Sequence, residues 1–298
     1  MSNVPAEPRT AIPEAAATDL TRRFAVDGVE LAWDRWGAGS GTELVLCHGY
    51  SGTAHDFALH VERLAADRPV LALDHRGHGR STKLGRADGY AIDRLAADLV
   101  AFVEATASGP VDLLGHSMGG RIALLATLAR PDLVRSLVLM DTSPWSFRAE
   151  DAGIAALVDA FLAAFDPTQG LPDPTLMAGP EDALIADTTP AWWQARKVEL
   201  WGTFDPYALK ALGEELFRAD APSLRDRLGE LALPVTVLVG AQDHPYVDQA
   251  PAVAAEVPDG ELVVVEGAFH SPQLTHQQAW ADAVDAHLAR AAGAGLAP

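Results

Sequence analysis

Apolar residues gather along this chain in short runs: Leu44-Val45-Leu46-Cys47, Val70-Leu71-Ala72-Leu73, Leu137-Val138-Leu139-Met140, Val235-Thr236-Val237-Leu238-Val239 and Leu262-Val263-Val264-Val265. Runs of this length, with almost no polar alternation, suit strands buried on both faces. Between them the apolar positions recur at helical spacing. Phe57, Ala58, Val61, Leu64 and Ala65 do so over residues 53–66, and Ile92, Leu95, Leu99, Phe102 and Val103 over residues 91–105. Further helices are expected over residues 248–256 and 276–291. Strands alternating with helices predict an α/β fold: a mostly parallel central sheet flanked by helices on both faces. Near the start, residues 22–26 and 29–36 flank Asp27-Gly28, a two-residue turn signal that predicts a hairpin.

The alternation stops over residues 144–221. This stretch has helical patches (residues 154–165, 192–201 and 207–217) broken by Pro and Gly, and no β-branched runs. It also holds Trp145, Trp192, Trp193 and Trp201 of the chain's 7 tryptophans. We read it as a helical cap, or lid, inserted into a core made of residues 21–143 and 222–291. Residues 1–20, rich in Pro, Ala and Glu, read as a disordered N-terminal arm, and residues 292–298 as a flexible tail.

One stretch offers chemistry. Val111-Asp112-Leu113-Leu114 runs into Gly115-His116-Ser117-Met118-Gly119-Gly120, with a helical run over residues 121–129 behind it. A serine between two glycines suits a sharp strand-to-helix turn, because backbones without Cβ atoms can pass close together. Ser117 would then stand above a strand end and at a helix N-terminus, where developing negative charge is favoured. Two other strand ends carry matching groups: Asp243 follows the strand over residues 235–239, and His270 follows the last strand. In an open α/β sheet the C-terminal strand ends share one rim. A serine becomes nucleophilic when a neutral imidazole accepts its proton, and a carboxylate on the far ring nitrogen fixes the tautomer. Ser117, His270 and Asp243 supply those types. An oxyanion needs two N–H donors, for which the backbones of Met118 and of Tyr50, in the loop after Cys47, are the candidates.

Composition narrows the partners. The formal net charge is −19 and the pI about 4.7, which argues against nucleic acid. One cysteine, Cys47, leaves no internal disulfide framework and no basis for a Cys-rich metal site; amid Leu46 and Val45 it reads as a small core residue. No stretch is apolar for long enough to span a membrane, and the N-terminal residues lack a basic start and apolar core, so a cytoplasmic enzyme is expected.

Taken together, His48-Gly49, Asp74-His75-Arg76-Gly77-His78-Gly79-Arg80-Ser81, Gly115-His116-Ser117-Met118-Gly119-Gly120, Gly240-Ala241-Gln242-Asp243 and Gly267-Ala268-Phe269-His270-Ser271-Pro272 resemble the α/β-hydrolase fold superfamily. Their order is similar to its capped serine esterase and lactonase branch, and the resemblance spans residues 22–291. It implies a catalytic triad of Ser117, His270 and Asp243 acting on a small-molecule ester or lactone, with no cofactor and no metal. A homodimer is compatible with it. Asp74, His75, Arg76 and His78 then form a loop-stabilising motif rather than a metal cluster, and His244 is a loop residue. Asp141 lies where some hydrolases of this fold place the triad acid; its other reading is a cap. Trp145, Phe147, Trp192, Trp193 and Phe269 are the candidates for an apolar substrate pocket. Three alternatives carry different tests. A carbon–carbon bond hydrolase of a ring-cleavage diketo acid would use Arg196 or Arg148 to hold a carboxylate. A cofactor-free perhydrolase would need peroxide, and a ligand receptor would turn over almost nothing.

Overall fold

The computed structural model describes residues 20–149 and 151–294, with the backbone alone at Met177. The expected N-terminal arm lies outside these residues except for Leu20, which is buried against the core. Eight strands build one sheet: β1 (Arg22–Val26), β2 (Val29–Trp36), β3 (Leu44–Cys47), β4 (Val70–Leu73), β5 (Val111–His116), β6 (Val134–Met140), β7 (Val235–Gly240) and β8 (Gly260–Val265). Their spatial order is β1-β2-β4-β3-β5-β6-β7-β8. β1 and β2 form the expected hairpin, with both Asp27 (φ 45°) and Gly28 (φ 77°) in the left-handed region that a two-residue turn demands. β2 pairs with β4 antiparallel and every later pairing is parallel. Register sets Cys47 beside Gly115 and Gly115 beside Leu139, so the strands finish along one rim.

The unbroken apolar runs have a simple cause. Successive side chains on a strand point to opposite faces, and both faces of β3 to β7 are covered, whereas β8, at the sheet edge, leaves Val264 exposed. Val45, Cys47, Leu113, Leu137 and Val237 pack beneath α2 (Ile92–Thr106), α3 (Met118–Ala129) and α8 (Tyr246–Glu256). Leu44, Leu46, Leu114, Val138 and Leu238 pack on the other face against Phe57, Trp280, Val284 and Leu288. Those last three belong to α10 (Gln277–Ala294), so residues 292–294 of the expected tail continue a helix.

One helical expectation is redrawn. Residues 53–66 form a 3-10 turn (Ala54–Phe57) and one short helix, α1 (Val61–Leu64). The cause is local: Thr53 and Asp56 close a capping box around the first turn, and the ring nitrogens of His55 and His60 hydrogen-bond the distant carbonyls of Trp193 and Gln273. A separate turn, α9 (Pro272–Thr275), precedes α10, which matches the helix expected over residues 276–291.

Between β6 and β7 the chain leaves the sheet for a helical insertion: α4 (Ala152–Ala164), α5 (Pro180–Thr188), α6 (Ala191–Trp201) and α7 (Pro206–Phe217). Asp205 caps α7 and its carboxylate also accepts from Gly85 N–H and from the Tyr90 hydroxyl, both at 2.7 Å, tying the insertion to the core. Trp193 is fully buried, stacks on His55 at 5.0 Å and exchanges backbone-carbonyl hydrogen bonds with it. The insertion also carries most of the exposed large apolar side chains of the described residues, among them Ile154, Leu157, Leu176 and Val198.

Candidate active site

Ser117 sits between β5 and α3 with φ 54° and ψ −118°, a conformation that non-glycine residues avoid unless the surroundings enforce it. The surroundings do. Ser117 N–H donates to Met140 O on the neighbouring strand at 2.8 Å, and its carbonyl accepts from Gly120 and Arg121. A Cβ at Gly115 would meet the Gly119 carbonyl at 2.3 Å, and one at Gly119 would meet the Cys47 carbonyl at 2.3 Å. The two glycines are therefore what lets the turn close against its neighbours. Ser117 lines a cavity of about 380 Å³ together with Asp243 and His270.

Asp243 follows β7 and His270 follows β8, as their sequence positions imply. His270 Nδ1 and Asp243 Oδ2 are 2.8 Å apart, so the carboxylate accepts from Nδ1–H and leaves Nε2 as the basic nitrogen. A third of the imidazole is open to the cavity. Burial lowers the His270 pKa, but the Asp243 charge and hydrogen bond outweigh it, with Glu181 adding to them, and the net position is above the ordinary 6.5. The residue before the serine takes part as well. His116 Nε2 lies 2.7 Å from the His270 carbonyl, and burial pushes the His116 pKa down to about 3, so a neutral ring donates.

Asp141 does not contact the imidazole in place of Asp243; it stands behind it. Asp141, itself at φ 45°, accepts from Gly240 N–H at 2.8 Å, and its other carboxyl oxygen is buried without a hydrogen-bond partner. Burial, followed by the nearby Asp243 charge, raises the Asp141 pKa well above the usual carboxylate range, which favours its protonated form. Ligand-type atoms of Asp141, Asp243 and His270 lie within 4.8 Å of one another.

The loop after β3 lies against the serine turn, where a Cβ at Gly49 would stand 3.3 Å from that of Ser117. Tyr50 lines the cavity while its hydroxyl donates to Leu209 O and its carbonyl lies 2.6 Å from His78 Nε2. Met118 opens α3, where first-turn N–H groups have no intrahelical partner. The histidine motif stiffens this region: His75 N–H donates to His48 Nε2 at 2.9 Å, and Asp74 accepts from Ala54 and Arg80 N–H groups. Arg76 makes a buried two-point pair with Asp98.

Of the aromatic candidates, Phe147 lines the cavity, with Ile154, Val158, Phe217 and Leu274. Trp145, Trp192, Trp193 and Phe269 do not line it. Trp193 docks the insertion, Trp192 packs beside it, and Trp145 lies under the Arg225 guanidinium at 5.6 Å. A second, largely apolar chamber of about 160 Å³, bounded by Val198, Trp201 and Phe204, adjoins the first through Ser51, Asp56 and Lys197, which line both. Burial pushes the Asp56 carboxyl up to about 7. Arg148 forms a two-point pair with Asp159, at 2.6 Å for each contact, and Arg196 lies 2.6 Å from Glu199.

The mostly parallel sheet flanked by helices agrees with a family match along the sequence. The profile of the alpha/beta hydrolase fold family matches residues 43–277, and the chain belongs to that family. Among its relatives is the pimeloyl-[acyl-carrier protein] methyl ester esterase of Chromobacterium violaceum, 31% identical over 84% of this chain and 95% of that protein. A hydrolase from Pseudomonas aeruginosa PA01 superposes with a TM-score of 0.74 at 26% identity, covering 90% of this chain and 97% of its own. The enol-lactonase of Burkholderia xenovorans LB400 shares the fold, with a TM-score of 0.70 at 22% identity over 90% of this chain and all of its own (100%).

Proposed function

We propose that this protein is a serine hydrolase that cleaves carboxylic esters or lactones of mostly apolar small molecules. The observation that carries the reading is the 2.8 Å contact of His270 Nδ1 with Asp243 on the wall of the cavity that Ser117 also lines. Ser117 Oγ attacks the carbonyl carbon while His270 Nε2 accepts its proton, and Asp243 stabilises the imidazolium. The N–H groups of Tyr50 and Met118 receive the oxyanion. On collapse His270 returns the proton to the leaving alkoxide, which stays tethered if the substrate is a lactone. Water, deprotonated by the same imidazole, then releases the acid from Ser117. The sequence needs no metal or cofactor. The insertion is the cap, and the apolar cavity with its adjoining chamber suits a hydrocarbon tail.

The chemistry of the methyl ester esterase relative supports an ester bond as the target. A ring-cleavage diketo acid would need a guanidinium to hold its carboxylate, and both Arg148 and Arg196 are engaged by acids. The test is turnover of a panel of esters and lactones by the wild-type protein, with Ser117→Ala as the blank. The expected result is multiple turnover that the substitution abolishes while the circular dichroism and melting curve stay unchanged. Equal rates for the two proteins would reject the reading.

A further inference from the structure

We propose that Glu181, on the insertion, is a positioning residue for His270: its carboxylate clamps the loop that carries the imidazole and places a second negative charge beside it. This rests on the reading of His270 as the base. Glu181 is the second residue of α5, and its neighbour Asp182 serves that helix by accepting from Gly179 N–H at 2.7 Å. Glu181 instead turns to the core, where its Oε1 accepts from Ser271 N–H at 2.6 Å. At the other end of α5, Gln277 Nε2 donates to Thr188 O at 2.8 Å. The helix is thus tied at both ends to residues 271–277, the segment that leaves His270.

The remaining groups around the imidazole do not duplicate that charge. Asp243 holds Nδ1 at 2.8 Å, and burial with the Asp243 charge raises the pKa of Asp141 behind it well above the usual range, toward the neutral acid. The His116 ring, at 4.9 Å, is neutral, and the phenol of Tyr246, at 5.3 Å, is pushed up by burial and the two aspartates. His244 faces Asp248 at 2.6 Å, and Lys197 stands on the cavity wall with Asp56. Burial raises the Glu181 pKa above its ordinary value and outweighs the pull of His270 and the Ser271 N–H in the other direction; in its ionised form the carboxylate and the imidazolium favour one another. A cap carboxylate fastened one residue past the base makes the base stronger when the cap is seated. Were α5 to lift away, the loop would lose its clamp and the imidazole part of its field together.

Glu181→Gln keeps an oxygen for Ser271 N–H and removes the charge; Glu181→Ala removes both. Two readouts are needed: the His270 pKa by NMR titration of its ring protons, and the pH profile of kcat/KM. Glu181→Gln should lower the His270 pKa, and with it the acid-limb midpoint, by about 0.3 to 1 unit, with less than about a tenfold fall in plateau rate. Glu181→Ala should show the same shift and a larger loss of rate. A purely structural residue would cut the plateau and leave the midpoint in place. Either that outcome or an unmoved His270 resonance in a folded Glu181→Gln protein overturns the proposal. If no ester or lactone is turned over, the function above fails, and the NMR titration still decides the role of Glu181.

Discussion

The pair of acids beneath the histidine makes opposite demands on stability and on catalysis, and Asp141→Asn separates them. Asparagine tolerates the left-handed backbone at this position, where φ is 45°. Its oxygen can accept from Gly240 N–H, and its amide is neutral at every pH, as the raised pKa of Asp141 favours for the acid. The native state of the wild type must hold a proton on Asp141 at pH values where the unfolded chain has released it, near 4 by reference values. A folded-state pKa raised in this way weakens the protein as pH climbs, by up to about 1.4 kcal/mol per pH unit between the unfolded and folded values. The amide carries no such slope. Denaturant unfolding of both proteins from roughly pH 4.5 to 7 should therefore show the variant gaining on the wild type as pH rises, with a slope of up to about 1.4 kcal/mol per unit. At the same time kcat/KM should stay within about tenfold of wild type, because Asp243 still holds the imidazole. Asp243→Asn should lose about a thousandfold or more. A stability difference that is flat with pH would refute the neutral acid, and an Asp141→Asn protein as inactive as Asp243→Asn would move the triad acid to residue 141.

Two other expectations follow from contacts already described. The kcat/KM profile should rise with pH through a midpoint above 6.5, since His270 is raised by Asp243 and Glu181 and works unprotonated; a profile flat from roughly pH 5 to 8 contradicts a histidine base. Trp193→Ala empties a fully buried site between insertion and core, which should cost about 3 to 5 kcal/mol in unfolding experiments. A loss under about 1 kcal/mol would mean that the stacking on His55 does not hold the insertion down.

The alternation of runs and helices was enough to reveal the sheet, because strands covered on both faces are mostly apolar, and the few buried polar groups such as Asp112 and Thr236 find partners inside. Ser117, Asp243 and His270 were legible for a related reason: each stands at the end of such a run, where a parallel sheet gathers its functional groups. The insertion was much less readable. α5, with the sequence Pro-Glu-Asp-Ala-Leu-Ile-Ala-Asp-Thr, buries Ile185 and little else, so it lacks the periodic stripe that would announce a helix. Glu181 was missed with it. Nothing in a Pro-Glu-Asp helix start says that one acid caps and the other reaches across to the core. The tryptophans show the converse limit. Their apolar bulk was evident, but whether Trp193 faces substrate or His55 depends on how one helix is turned. His116 was hidden by its proximity to Ser117: the motif drew attention to the hydroxyl, and its neighbour's hold on the His270 carbonyl exists only once β5 and the last loop lie side by side.

The bare apolar side chains on the insertion have a colloidal consequence. Ile154 and Val198 stand at the mouths of the two chambers with 54% and 75% of their surface in water, and Leu157 and Leu176 expose still larger fractions of hydrocarbon than Ile154, at 71% and 70%. Near neutral pH the formal charge of −19 makes molecules repel before these patches can meet. As acid discharges the carboxylates toward the isoelectric point near 4.7, that repulsion disappears and the adhesive side is left in command. An exposed apolar surface on one side of the molecule is thus offset by electrostatics spread over the rest of it.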